Sequence, residues 1–363
     1  MNSILIHLKK FDWTLIGSAI LLTIAGLISI YSSSVWQNDF LNFQKQLIFF
    51  AVALCLMFLF SFLDWRVLRE GPYLILSLYF LACLALIGLF WLAPTIRGIR
   101  SWYKIGFLSI DPIEYTKIIL IFLLAKYFSM RHTEMYRIQH IFLSGLYIAL
   151  PFSLIFLQPD LGSALILLAL WIGVLIISGI EVRHFFLLVL CFILLATFGW
   201  NNFLKDYQKL RILSFLTPQA DPLGASWSQT QSKIAIGSGG IFGQGFCQGS
   251  QTQYGFLTEP QTDFIFASLA EEFGLFGVIV LLSLFLILIW RILKIAVEAR
   301  NNFVRLFASG LSIIFLTEIF IHIGMNIGVL PIIGISLPLV SYGGSGLIAG
   351  FIAIGILQNM RNN

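Results

Sequence analysis

Charge is scarce in this chain. Lys and Arg number 22 and Asp and Glu 17, together 11% of 363 residues, against about 25% in ordinary soluble domains. With 59% hydrophobic residues and a mean hydropathy of +0.93, no soluble surface could cover the apolar side chains. This excludes the water-soluble enzyme classes and makes a bilayer the solvent. Cysteine is scarcer still, at four. Cys55, Cys83 and Cys191 lie in apolar stretches, where a thiol behaves as a small hydrophobe, and Cys247 stands alone in a polar one. A disulfide framework and a thiolate metal site are both excluded by that spacing. No small-residue cleavage site follows the first apolar stretch, at about 13–30, so it reads as a signal anchor. Nor is an internal repeat visible, which disfavours transporters built from duplicated halves. The glycines at 237–245 superficially resemble a dinucleotide fingerprint, but no strand–helix unit surrounds them.

What is present is a series of apolar runs, each near the roughly twenty residues that cross a hydrocarbon core. They fall at about 11–32, 46–63, 72–93, 113–128, 141–157, 161–179, 185–200, 263–290, 303–326 and 337–358. The expected fold is an all-α polytopic membrane protein with about ten transmembrane helices, forming a single domain over 1–363. Between about 201 and 262 the chain leaves this pattern for a long polar, glycine-rich segment. Loops of that length usually have a functional reason to exist. Cations set its side. Lys9, Lys10, Arg66, Arg69, Lys126, Arg131, Arg137, Arg183, Arg291, Lys294, Arg300, Arg305 and Arg361 fall on the same side as the N-terminus. Opposite them stand Lys45 and two clusters: Arg97, Arg100 and Lys104, then Lys205, Lys209, Arg211 and Lys233. The positive-inside rule then makes both termini cytoplasmic and puts the long loop, between helices 7 and 8, outside. The net charge of +5 reflects the inner belt, and no nucleic-acid partner is expected.

Ionisable groups at membrane depth cost about 2.5–3.5 kcal/mol on insertion scales, so they pair or serve a function. Glu114 and Lys117 are three apart, on one helical face. They are either a structural pair or part of the lining of a polar cavity. Asp160, in Gln158-Pro159-Asp160-Leu161-Gly162, reads first as the N-cap of the following helix. Asp263, in Thr262-Asp263-Phe264-Ile265-Phe266, could cap the next span or do chemistry. Glu271 and Glu272 must face the protein interior or the inner boundary. Glu318 and His322, four apart, suggest a hydrogen-bonded pair. The glycines of 237–245 serve either to bring backbone amides to an anion or simply to confer flexibility. The small residues of Ser341-Tyr342-Gly343-Gly344-Ser345-Gly346 suit close helix packing.

Together these motifs resemble the SEDS family (shape, elongation, division and sporulation proteins) over nearly the whole chain. The residues that carry the likeness are Gly98-Ile99-Arg100-Ser101-Trp102 with Pro112, Glu114 and Lys117; Gln158–Gly162; Asp221-Pro222-Leu223-Gly224-Ala225; Gln231–Gly240; Thr262–Ala267 with Glu271 and Glu272; and Pro338–Ser345. The form at 231–240 is closer to the elongation branch than to the division branch. The resemblance implies a peptidoglycan glycosyltransferase in the bacterial inner membrane that polymerises lipid II during cell elongation. It also implies a class B penicillin-binding protein (a PBP2-like transpeptidase) and other elongation-complex proteins as partners. The family's essential aspartate falls on Asp263, its tryptophan on Trp102, its Glu/Lys pair on Glu114 and Lys117, and its hairpin aspartate on Asp160. Two departures stand out. Gln261 replaces a common histidine, which argues against an obligatory histidine base, and His322 replaces a common asparagine, where packing is expected.

The implied chemistry needs one base to take the acceptor hydroxyl's proton and cations to stabilise the departing pyrophosphate. Asp263 is the expected base. Lys117, Arg100 and Lys233 are the expected pyrophosphate partners, and Glu114 is expected to orient Lys117. No cofactor is required with certainty; a divalent cation, Mg²⁺ or Mn²⁺, could help neutralise pyrophosphate, and no protein metal site is expected. A lipid II flippase would place its key charges near the midplane, and a non-catalytic scaffold would leave Glu114, Lys117 and Asp263 without a task.

Overall fold

The computed structural model describes residues 9–71, 73–94, 101–106, 108–131, 138–202, 209, 215 and 226–362. Its helices follow the apolar runs. They are α1 (Trp13–Gln37), α2 (Leu41–Phe62), the short α3 (Arg66–Glu70), α4 (Leu74–Leu92), α5 (Pro112–Ser129), α6 (Ile138–Leu157), α7 (Leu161–Ile177) and α8 (Val182–Asn202). After these come α9 (Trp227–Ser238), the single-turn α10 (Ser250–Gln253), α11 (Ile265–Glu298), α12 (Asn302–Ile327) and α13 (Gly344–Asn362). Among the described residues six helices are long and apolar enough to cross a membrane: α1, α2, α4, α6, α11 and α12. The shorter α7 and the first half of α8 are also apolar. Among the described residues the one departure from helix and turn is a hairpin, β1 (Tyr103–Ile105) with β2 (Leu108–Ile110), antiparallel with Tyr103 opposite Ile110. It is pinned to α4, because the Tyr103 hydroxyl donates to the Ala85 carbonyl at 2.5 Å.

One continuous apolar core runs through the bundle. The most enclosed of the six long apolar helices is α12, which packs against α5, α7, α11 and α13. Where α13 meets α2 a glycine allows backbone contact: a Cβ on Gly355 would lie 2.3 Å from the Met57 carbonyl oxygen. Such small-residue contacts are the usual way helices approach closely in a membrane. At the N-terminal end Asp12 caps α1 by accepting from Leu15 N at 3.2 Å. Its carboxylate is gripped by Arg291 of α11 through Nε at 3.0 and 2.9 Å and Nη2 at 2.5 Å. Gln358 of α13 brackets the Asp12 backbone from the other side, accepting at 3.0 Å and donating at 3.2 Å.

Two expectations are revised here. The run at 263–290 is not one uninterrupted helix, because α11 breaks at Gly274, where φ is 64° and ψ is −162°. That conformation is essentially confined to glycine. The polar segment is also not merely a loop, since α9 packs on α11 and α12. The glycines after α9 close the break. Gln244 N and Gly245 N donate to the Glu271 and Glu272 carbonyls at 2.9 and 3.1 Å. In return Leu275 N and Phe276 N donate to the Gly240 and Ile241 carbonyls at 2.9 and 3.0 Å. Backbone groups freed by a helix break must find partners at membrane depth, and this loop supplies them. Gly239 and Gly243 are small for this reason: a Cβ on either would lie 2.1 or 2.0 Å from the Ala270 or Glu272 carbonyl oxygen. Of the two readings of the run, neither anion binding nor flexibility describes these amides, which are bonded to α11.

Candidate active site

The first charged group forms around Lys117. Its Nζ sits 2.8 Å from Glu114, one turn earlier on α5, and 2.5 Å from Glu318 of α12. Lys117 and Glu318 are buried and Glu114 is partly open. The expected Glu318–His322 pair does not form. Glu318 faces α5 because a buried ammonium needs neutralising charge, and the His322 ring nitrogen Nδ1 bonds the Ile335 carbonyl at 2.7 Å. Two carboxylates thus answer one ammonium. Asp160 and Asp111 lie within electrostatic range of the same lysine. Asp160 caps α7, accepting from Ser163 N at 3.0 Å and Ser163 Oγ at 2.8 Å. Asp111 caps α5 through Ile113 N at 2.9 Å, while its own amide donates to Ser345 Oγ at 2.8 Å. Ser345 opens α13, and the Glu114 carboxyl abuts the next residue, with its Cδ 3.6 Å from where a Gly346 Cβ would lie.

The second group is built around Asp263. Residues 261–264 form a turn ahead of α11, whose cap position is Phe264, without a side-chain cap bond. Three hydrogen bonds from two segments, residues 341–342 and α12, hold that turn by its backbone. Gln261 O accepts from Tyr342 N at 2.8 Å, Thr262 O from Ser341 Oγ at 2.8 Å, and Asp263 O from Asn326 Nδ2 at 2.9 Å. The half-buried Asp263 side chain faces Gly334, a Cβ on which would sit 3.8 Å from Asp263 Oδ2. Gln261 turns away, bonding Asn42 Nδ2 at 2.8 Å and Ser34 Oγ at 3.2 Å. The position where a histidine is common therefore serves to anchor α1 and α2 to the turn.

Asn326 ties this turn to the rest of the site. Besides the Asp263 carbonyl, its Nδ2 donates to His322 O at 2.8 Å. Its Oδ1 accepts from Ala267 N at 3.2 Å and Ser232 Oγ at 3.4 Å. Ala267 is in the first turn of α11, so a residue of α12 supplies the cap that Phe264 cannot. Lys233 follows Ser232 on α9. It is exposed and its stem crosses the C-terminal end of α12, with Nζ 3.4 Å from where a Gly328 Cβ would lie. A cation is favoured at that end of a helix.

The segment 331–337 lies between the two groups. Gly334 faces Asp263, while Ile333 and Ile335 cover Gly162 next to Asp160. Trp102 is half-buried at the start of the hairpin, whose Ser109 carbonyl accepts from Ser345 Oγ at 3.4 Å. Arg100 lies outside the described residues, as does the motif at 221–225. Sequence reasoning overlooked Asn326 and misassigned Glu318. The signal was available, because Glu318, His322 and Asn326 recur every fourth residue in an apolar helix and so share one face. Glu271 and Glu272 do face the interior. Glu271 accepts from Gln251 N and Thr252 N at 2.6 and 3.0 Å, and Glu272 from Ser32 Oγ. Among the described residues no group of three or more His, Cys, Asp or Glu could hold a metal ion.

The fold and site define a multi-pass helical membrane protein that gathers carboxylates and a lysine where α5, α7, α11, α12 and α13 meet. The family model for the FtsW/RodA/SpoVE cell cycle proteins matches residues 12–363, and the chain belongs to that family. Peptidoglycan glycosyltransferase MrdB of Escherichia coli K12 is 35% identical over 365 residues, covering 98% of this chain and 96% of that one. Among solved structures, a chain from a peptidoglycan synthase complex that coordinates polymerization and crosslinking superposes with a TM-score of 0.83 at 30% identity. The match covers 97% of this chain and 98% of that one. The rod shape determining protein RodA of Thermus thermophilus superposes with a TM-score of 0.73 at 27% identity, over 97% of both chains.

Proposed function

We propose that this protein is a peptidoglycan glycosyltransferase that polymerises lipid II on the outer face of the bacterial inner membrane during elongation. Relatives named for that activity along the full length support the reaction class. The observation that carries the site is a half-buried carboxylate, Asp263, on a turn held by residues 341–342 and by α12 and opposite a glycine. In this reading α1, α2, α4–α8 and α11–α13 make the ten spans, the segment 201–262 lies outside with Asp263 at its end, and both termini are cytoplasmic. A class B penicillin-binding protein is the cross-linking partner, in keeping with the synthase complex that the fold resembles.

Asp263 acts as general base. It takes the proton of the acceptor sugar's hydroxyl as that oxygen attacks the donor's anomeric carbon, and the bond to undecaprenyl pyrophosphate breaks with inversion. Lys233 and Arg100 stabilise the departing pyrophosphate. Lys117, already answered by Glu114 and Glu318, can reach pyrophosphate only by exchanging a carboxylate, so in this arrangement it fixes Glu114. Trp102 and Asp160 shape the approach from the hairpin and from α7. A divalent cation, Mg²⁺ or Mn²⁺, would ride on the pyrophosphate. Purified Asp263→Asn protein tested on labelled lipid II should lose polymerisation by about 10²–10⁴-fold. Normal chain formation by that variant would sink the assignment, and chain growth in detergent by the wild type separates a polymerase from a flippase.

A further inference from the structure

Helix α2 contributes no charged group to the site, yet it buries an amide beside it. Its buried residues are Gln46, Ala53, Met57 and Ser61, which share one helical face, and α2 packs on α13. Packing alone would be served at 46 by an apolar side chain, as at 53 and 57, since burying an amide is costly unless it is bonded. Gln46 is 1% exposed, and both ends of its amide are used. Nε2 donates to Ser341 O at 3.3 Å, and Oε1 accepts from Gly343 N at 3.1 Å.

What these two bonds fix decides the role. A glutamine that only capped α13 would need the Gly343 amide alone, because α13 begins at Gly344. The other bond goes to the carbonyl of the Ser341–Tyr342 peptide, whose N–H donates to Gln261 O at 2.8 Å. Carbonyl and N–H belong to one rigid plane. Gln46 therefore sets the orientation of the amide that grips the turn two residues before Asp263. Ser341 extends the same hold, its hydroxyl donating to Thr262 O at 2.8 Å and accepting from Leu337 N at 2.9 Å. The segment needs such support. Leu339 is buried at φ 64°, a strained state for a side-chain-bearing residue that persists only where neighbours enforce it. Val340 lies against α1, where a Cβ on Gly26 would be 2.1 Å from the Val340 carbonyl oxygen. One turn before Gln46, Asn42 Nδ2 donates to the Gln261 side chain at 2.8 Å. Two amides four apart on α2 thus meet the turn, one through the Gln261 side chain and one through the segment that grips it.

We propose that Gln46 is a positioning residue for Asp263, acting through the Ser341–Tyr342 peptide; the inference rests on Asp263 being the base. Its loss falls on turnover and leaves lipid II binding intact, because the turn it holds aims the carboxylate. The test is lipid II polymerisation by purified full-length Gln46→Leu, Ser341→Ala and the double variant, each measured well below its melting temperature, with wild type and Asp263→Asn alongside. Gln46→Leu should lower kcat by roughly 10–10²-fold with KM little changed. Ser341→Ala should lower kcat in the same sense, and the double variant should lose less than the two single effects combined, since both act on one segment. If Gln46→Leu does not fold, Gln46→Asn replaces it with the same expectation, its amide being one methylene too short to reach both groups. Full kcat in the Gln46 variant, a loss carried by KM alone, or strict additivity with Ser341→Ala overturns the proposal. Activity lost in Asp263→Asn but full in Gln46→Leu overturns this proposal alone, whereas activity retained by Asp263→Asn overturns the reading beneath it as well.

Discussion

Replacing Asn326 by leucine tests whether α12 really builds the Asp263 turn. The two side chains are similar in volume, and position 326 is fully buried, so leucine fits while every side-chain hydrogen bond is lost. The Ala267 amide and the Asp263 carbonyl lose their Asn326 partners. His322 O keeps its place in the helix and Ser232 Oγ keeps the Asn326 carbonyl at 2.9 Å, so these two losses are minor. A lost helix cap costs about 0.5–2 kcal/mol, and a buried group left unsatisfied about 1–3 kcal/mol. With the Ala267 amide and the Asp263 carbonyl both affected, the expected destabilisation is roughly 2–5 kcal/mol. Thermal unfolding in detergent reads the first effect. Lipid II polymerisation, measured well below the new melting temperature, reads the second: kcat should fall while binding of lipid II changes little, because only the turn that aims the carboxylate has loosened. Asn326→Asp separates the two roles. It keeps the acceptor for Ala267 and loses the donor to Asp263, so it should hurt turnover more than its stability loss explains. An Asn326→Leu protein within about 0.5 kcal/mol of wild type and with full activity would refute the reasoning.

Three other outcomes follow from the same geometry. Gly274→Ala should destabilise by at least about 1–3 kcal/mol from backbone strain alone, since its Cβ would also lie 2.3 Å from Gly243 N; faster hydrogen exchange at 240–245 would report the loosened loop, and unchanged exchange would count against the stitch. Lys117→Met should cost about 3–5 kcal/mol by leaving the buried Glu318 beside the partly open Glu114 with no cation between them, and adding Glu318→Gln should recover part of that in a double-mutant cycle; simple additivity would show that the pair is not coupled. Gln261→His should leave polymerisation within a few-fold of wild type, because the side chain at 261 is turned toward Ser34 and Asn42; a large gain would reinstate a histidine in the chemistry.

The helices were legible because a bilayer imposes its thickness on composition: every apolar run read from the sequence contains a helix, and six of these helices, among the described residues, are long and apolar enough to cross a membrane. The Glu114–Lys117 pair and the Asp160 cap were legible for a different reason: both are local, three residues apart, and helical geometry decides them. Glu318 was misread by the same local logic. Its nearest ionisable neighbour in sequence is His322, but its partner is Lys117, 201 positions away. Asn326 drew no notice because nothing in its own helix reveals that another helix lacks a cap.

The long polar segment shows where that boundary falls. Composition alone made it exceptional, since a polar, glycine-rich run cannot lie among lipid tails, and the carboxylate at its end was visible as a residue. That its glycines complete a broken helix at Gly274, and that Asp263 sits on a turn gripped by α12 and by residues 341–342, are decided by distant backbone groups meeting in space. Hydropathy and helical spacing are properties of neighbouring residues. Satisfying a buried amide or neutralising a buried lysine depends on whichever group the packing brings within 3 Å, and only the tertiary structure supplies that group.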